Sequence, residues 1–195
     1  MLTAVSDPPS AAPPGSSVKL SDTVQNQGLV AAAATTTRYY LSADPQKGSG
    51  DALLTGSRSV PSLGPGVSST GATLTVTIPS TMPLGLYYLL VCVDDTAVVK
   101  ETDEQNNCRA SVTPVQVTRP DLIITAVSNP QASAARGSSL KVSETVQNQG
   151  LVAAAASTTR YYLSADQQKG SGDTLLTGSR SVPSLAPGSD SRDRT

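Results

Sequence analysis

The stretch LTAVSDPPSAAPPGSS at residues 2–17 returns as ITAVSNPQASAARGSS at residues 124–139, and the match runs without a gap to SRSVPSLGPG (57–66) and SRSVPSLAPG (179–188). Between residues 2–66 and 124–188, 51 of 65 positions are identical at a constant offset of 122 residues. A period this long exceeds solenoid and propeller-blade repeats and is about one small domain, so the chain is built from tandem copies of a module. Function is then expected to lie in display and spacing.

The reading divides the chain into a first module at residues 1–118, a second copy at 119–188 and a polar tail, SDSRDRT, at 189–195. The first copy continues through residues 67–117, for which the second has no counterpart, so the second is expected to lack its last strands. The run DLII precedes the repeat only in the second copy, which marks the first strand of the first copy as shortened. Both ends suggest a piece of a longer array, or a reading frame broken at its 3′ end. Without later strands, Val142, Val146, Tyr161 and Leu163 are expected to lose the sheet they pack against.

Composition points to all-β structure. The 195 residues include 15 Gly and 14 Pro between short apolar runs, with no His, Trp or Phe and six Tyr. The one helix-like run, LVAAAA at residues 29–34 and 151–156, is short and uncapped, so a loop or strand is expected. A net charge of −1 with scattered Lys and Arg gives no basic face for nucleic acid. No run reaches the roughly 18 to 20 apolar residues of a membrane helix, and residues 1–20 do not read as a signal peptide. Catalysis is not expected: no His is present to activate a Ser, and neighbouring Asp94 and Asp95 point to opposite sides of a strand.

Period-two patterning places the strands. Residues 17–25 alternate Val18, Leu20 and Val24 with Lys19, Ser21, Thr23 and Gln25, and Leu74, Val76 and Ile78 alternate with Thr. Residues 86–93 are almost wholly apolar, as in a central strand. About seven short strands at turn-punctuated spacing define an immunoglobulin-like antiparallel β-sandwich. Asp22 falls on the apolar face, and the second copy carries Glu144 there. Because a buried paired acid seldom accepts a change of length, a bulge or wet strand end is expected rather than an ion pair in the core.

The segment GLYYLLVCVDDTAVVKETDEQNNC at residues 85–108 carries Gly85-x-Tyr87, a strand ending at Val93-Asp94, and the run Val99-x-Glu101-x-Asp103-Glu104-x-Asn106-Asn107. Upstream lie Asn26-Gln27-Gly28 and Tyr39-Tyr40-Leu41-Ser42. Together these resemble the CARDB domain, a bacterial cell-adhesion-related immunoglobulin-like module, with Asp103 where that family often has Asn. The resemblance implies a seven-stranded sandwich, secreted or at the cell surface, repeated in tandem and serving adhesion or spacing, with neighbouring repeats or a cell-surface protein or glycan as partners. It implies no catalytic residues.

Alternation turns Tyr87, Leu89, Val91 and Val93 inward and Cys92 outward, where Cys108 on the adjacent strand can meet it, so a Cys92–Cys108 disulfide and an oxidising compartment are expected. The acids Asp94, Asp95, Glu101, Asp103 and Glu104 offer the hard oxygen ligands of calcium, a candidate cofactor for stiffening the hairpin, but match no EF-hand spacing. Asp44 and Asp51 flank Gly48-Ser49-Gly50 and recur as Asp166 and Asp173; no Lys-Ser pair or helix follows, so a connecting loop is expected. The tyrosines come in adjacent pairs, placing Tyr40 and Tyr88 side by side outside the sandwich, either as a sheet-stabilising pair or as a glycan-stacking surface.

Overall fold

A computed structural model describes residues 1–193, which fold into two compact units, Met1–Thr118 and a second beginning at Arg119. Eleven strands build the first: β1 (Leu2–Val5), β2 (Ala11–Ala12), β3 (Ser17–Leu20), β4 (Asp22–Gln25), β5 (Thr35–Ser42), β6 (Ala52–Val60), β7 (Ser68–Thr70), β8 (Leu74–Thr77), β9 (Gly85–Val93), β10 (Cys108–Ala110) and β11 (Val115–Val117). One sheet has the order β1-β4-β7; the other runs β2-β11-β9-β5-β6-β8-β3, with β10 also paired to β9. This is the expected immunoglobulin-like sandwich, with several long strands divided between the sheets.

The division is clearest at residues 17–25. The single strand read from alternation breaks at Ser21, so that β3 pairs with β8 and β4 with β1 and β7. Residues 18, 20, 22 and 24 nevertheless all stay buried, because the period of two survives the change of sheet. A second irregularity lies between β5 and β6, where the register shifts between Arg38 and Tyr40. Gly56 sits at this bulge with φ 115°, and a side chain there would meet the Thr75 carbonyl at 3.1 Å; the second copy repeats it at Gly178, φ 109°.

The core draws on both sheets. Leu2, Val18, Leu20, Val24 and Val76 meet Tyr39, Leu41, Leu54, Leu89, Val91 and Val117. The 29–34 run is a loop, held by a bridge between Ala32 and Leu63, and Asn26 pins it by donating from Nδ2 to the carbonyls of Val30 and Leu63 at 2.7 and 2.9 Å. The loops around Gly48 and Gly170 are turns in which Asp51 and Asp173 accept the glycine N–H groups.

The second unit contains β12 (Leu122–Val127), β13 (Glu144–Asn148), β14 (Ser157–Leu163), β15 (Thr174–Val182) and β16 (Asp190–Arg192). They form a three-stranded sheet, β12-β13-β16, and a pair, β14-β15. In the polar tail, Asp190–Arg192 pairs with β13 as β7 pairs with β4, its backbone satisfying the strand edge whatever its side chains, while residues 194 and 195 lie outside the described residues. One expectation is corrected: Val146 keeps its cover, only 4% exposed, because Ala154, Val182 and Leu185 close over it. Val142 and Tyr161 are half-buried and Leu163 is exposed.

Candidate functional site: the clasped acidic hairpin and the inter-sheet ion pair

β9 is an interior strand of the larger sheet, and its two faces do different work. Tyr87, Leu89, Val91 and Val93 face the core, while Leu90 and Cys92 face the other way. β10 brings Cys108 directly opposite Cys92, and a disulfide joins them. Cys92 does point away from the main core, yet it is fully buried, because Tyr40, Leu90, Cys108 and Ala110 form a second small apolar cluster over it.

That cluster corrects the expected surface pair of Tyr40 and Tyr88. In the register of β5 and β9, Tyr40 faces Leu90 and Tyr88 faces Ser42, so the rings are offset. Tyr40 is buried, its hydroxyl donating to Asp95 Oδ2 at 2.5 Å and its ring covered by Lys47 with Nζ 4.7 Å from the centroid. Asp95 is also flanked by Arg38 and Lys47, each at 3.4 Å. Burial, then the hydrogen bond to Asp95, pushes the Tyr40 hydroxyl above its ordinary range. Its aromatic face is thus committed to the protein and offers no stacking platform.

The five candidate calcium ligands are likewise committed to partners within the protein. Asp94, at φ 48°, accepts the N–H groups of Val98 and Val99 and closes a turn containing Ala97 at φ 51°. Glu101 accepts Asn107 Nδ2 at 2.6 Å, Glu104 accepts the Glu101 N–H, and Asp103 accepts the Gln105 N–H. Asp95 belongs to the Tyr40 cluster. Among the described residues no group of three or more His, Cys, Asp or Glu is placed to hold a metal ion. Asp94, Asp103 and Glu104 cap the loop's own backbone, which is what carboxylates in a turn-rich hairpin ordinarily do. A polar cleft of about 320 Å³ lies between this loop and the Asn26-Gln27-Gly28 turn, lined by Gln27, Val30, Lys100, Glu101 and Asp103 among others.

Asp22 is the largest correction. It is 2% exposed and neither bulged nor wet: Arg58 Nε on β6 lies 2.8 Å from both carboxylate oxygens, so the ion pair bridges the two sheets through the core. Arg58 also donates to Ser69 Oγ on β7, and Tyr39 donates to Asp22 at 3.4 Å. The second copy rebuilds the arrangement with the longer acid by changing the bonding mode. Glu144 takes Arg180 Nε on one oxygen at 2.6 Å and the Tyr161 hydroxyl on the other at 2.8 Å, while Arg180 reaches Ser191. The added methylene is spent on approaching the tyrosine.

The electrostatics follow. Burial, then the Asp22 carboxylate, pushes the Tyr39 hydroxyl up to about 12; burial, then the bond to Glu144, does the same to Tyr161. Burial alone raises the Glu144 carboxyl, but the bonds from Arg180 and Tyr161 outweigh it and hold the group below its usual range. A readable signal existed for the basic partner: Arg58 lies two residues before the apolar Val60 on one strand, hence on one face, and the pattern recurs at Arg180 and Val182.

Fold and site together define an immunoglobulin-like β-sandwich module with a disulfide-clasped closing hairpin. The CARDB family model matches residues 2–111 and 119–195, so the chain belongs to the CARDB family, immunoglobulin-like and adhesion-related at the level of the family. A crystal structure of a CARDB domain from Pyrococcus furiosus, in complex with di-metal ions, is similar at 22% identity and TM-score 0.40, covering 59% of this chain and 88% of that one. The solution structure of the same domain gives 22% identity, TM-score 0.39, and coverage of 58% and 89%. The class 5 fimbriae chaperone CfaA is similar at 11% identity and TM-score 0.29, covering 97% and 83%. Among curated proteins none matches. No helix among the described residues is long and apolar enough to cross a membrane.

Proposed function

We propose that the chain is a non-catalytic adhesion or spacer module from a tandem array of immunoglobulin-like domains, working outside the cytoplasm, secreted or at the cell surface. One observation carries this reading: the module is present twice at a fixed offset, and the complete copy closes with a buried cross-strand disulfide. Such bonds persist in oxidising compartments. A sandwich whose hairpin acids Asp94, Asp103 and Glu104 are taken up by the loop's own backbone suits a rigid element that holds neighbours apart. The reading is tested on the cells that make the protein. Antibody against the first unit should label intact cells or the medium, and thiol alkylation at lysis should find Cys92 and Cys108 already joined. A reduced pair in a protease-shielded cytoplasmic fraction would sink it.

A further inference from the structure

Asn148, Gln149 and Gly150 repeat the Asn26-Gln27-Gly28 turn of the first copy. Asn148 is fully buried, and every hydrogen-bonding position of its amide is used. Nδ2 donates to the carbonyls of Val152 and Leu185 at 2.9 and 3.1 Å, while Oδ1 accepts the N–H groups of Gly150 at 3.0 Å and Asp121 at 3.1 Å. Asn26 makes the counterparts of the first three bonds, to Val30, Leu63 and Gly28. The bond to Asp121 is the one the second turn adds, and it reaches the segment that enters the second unit.

The other two residues of the turn meet the same short segment. Gln149 donates its backbone N–H to the Asp121 carbonyl at 2.8 Å and its side-chain Nε2 to Asp121 Oδ2 at 2.6 Å. Gly150 lies against backbone: a side chain there would stand 2.6 Å from Asp121 N and 3.0 Å from Pro120 Cα. Gly150 is not among the glycines with positive φ, so close approach rather than backbone conformation calls for glycine at this position. Pro120 brings no N–H that needs a partner, and its ring fixes its own φ while biasing Arg119 toward extended conformations.

We propose that this turn is a recognition site for an extended Pro-Asp segment: Asn148 takes the aspartate N–H, Gln149 takes its carbonyl and carboxylate, and Gly150 leaves room for the proline. In this chain the site captures Pro120 and Asp121 in cis and makes them part of the second unit. On the other side, Thr118 donates its N–H to the Ala12 carbonyl of the first unit at 3.1 Å. Only Arg119 and Pro120 stand between the two anchored residues, and the proline ring restrains both. The stretch that joins the repeats is thus ordered rather than a flexible tether, and it withholds the mobile backbone that a protease needs. The site works in the same way whatever the module binds and wherever it is displayed.

The test is made on the full chain and its variants Gln149→Ala, Gly150→Ala and Gly28→Ala. The last is the internal control, since its new methyl would meet Asn26 Oδ1 at 3.1 Å and nothing of residues 119–121. In the parent, NMR relaxation should give the Asp121 amide an order parameter near the value of about 0.85 that marks rigid backbone, and Gly150→Ala should lower it below about 0.6. A protease that cuts before aspartate should open the Pro120–Asp121 bond at least about tenfold faster in Gly150→Ala, measured against its cut before Asp44 in the same digest. Gln149→Ala, at an exposed side chain, should raise that rate at least about threefold and keeps the test decisive should Gly150→Ala unfold the second unit. Gly28→Ala should change neither reading. A parent order parameter below about 0.6 at Asp121, an unchanged cut in Gln149→Ala or Gly150→Ala, or an equal effect of Gly28→Ala would each overturn the assignment.

Discussion

Replacing Arg58 by Met keeps an apolar stem out to about the Nε position and removes the guanidinium, and with it the charge and the donors. Asp22, whose side chain is fully buried, is left with the Tyr39 hydroxyl at 3.4 Å as its remaining side-chain donor. Removing one partner of a buried pair costs about 3–5 kcal/mol, because the other charge stays desolvated without compensation. That is a large part of the roughly 5–15 kcal/mol that holds a domain together, and it corresponds to a shift of about two to four orders of magnitude in the opening equilibrium. Native-state hydrogen exchange at Leu89, Leu90 and Val91, which lie in β9 inside the first unit's larger sheet and are 1% exposed or less, reports that opening without interference from the second unit. The triple variant Asp22→Leu, Tyr39→Phe, Arg58→Met removes both charges and the Tyr39 hydroxyl together, leaving only the partly exposed Ser69 hydroxyl of the cluster, and should return to within about 1–2 kcal/mol of the parent, since apolar replacement of a buried pair is often neutral or better. A loss below about 1 kcal/mol for Arg58→Met alone, in the range of exposed pairs, would refute the reasoning, for it would mean that water reaches Asp22 in the folded protein.

Alkaline pH should loosen both units. Tyr39 and Tyr161 have folded values raised to about 12 from 10.0, so the stability they contribute is complete below pH 10 and is lost as pH rises toward 12. The loss is about 3 kcal/mol for the buried Tyr39 at the upper limit and smaller for the partly exposed Tyr161, where solvent screens the carboxylate, and ultraviolet titration should show both hydroxyls ionising late. Reducing the Cys92–Cys108 bond frees a loop of about 15 residues and should cost about 3 kcal/mol, seen as a lower melting temperature of the first unit in reductant; an unchanged melt would show that the clasp is dispensable. Gly71→Ala should destabilise the first unit by about 1–3 kcal/mol, because the new methyl would stand 2.5 Å from Arg58 Cδ and 2.7 Å from its Nε and drive the guanidinium off Asp22. Adding Gly71→Ala to Arg58→Met should then bring less further loss than Gly71→Ala causes in the parent, and full additivity would count against this coupling.

The tandem plan, the all-β class and the inward face of each strand were determined by sequence alone. They are local or repeat properties: alternation with period two survives even where residues 17–25 change sheets at Ser21, because pleating obeys neighbours along the chain. The direction of Cys92 was legible for the same reason. Its burial was not, since that depends on Tyr40 and Ala110 arriving from two other strands. The tertiary structure alone decided what each polar group meets. Asp22 lies on a face where an acid looks misplaced, and only the crossing of β6 over β4 puts Arg58 within 2.8 Å of it. The acidic loop reads as a cation site because composition counts oxygens, whereas backbone geometry turns Asp94, Asp103 and Glu104 onto nearby N–H groups. Pairing between distant residues depends on how sheets are stacked and twisted, and a linear pattern carries the period of a strand but not the identity of the side chain that will face it across the core.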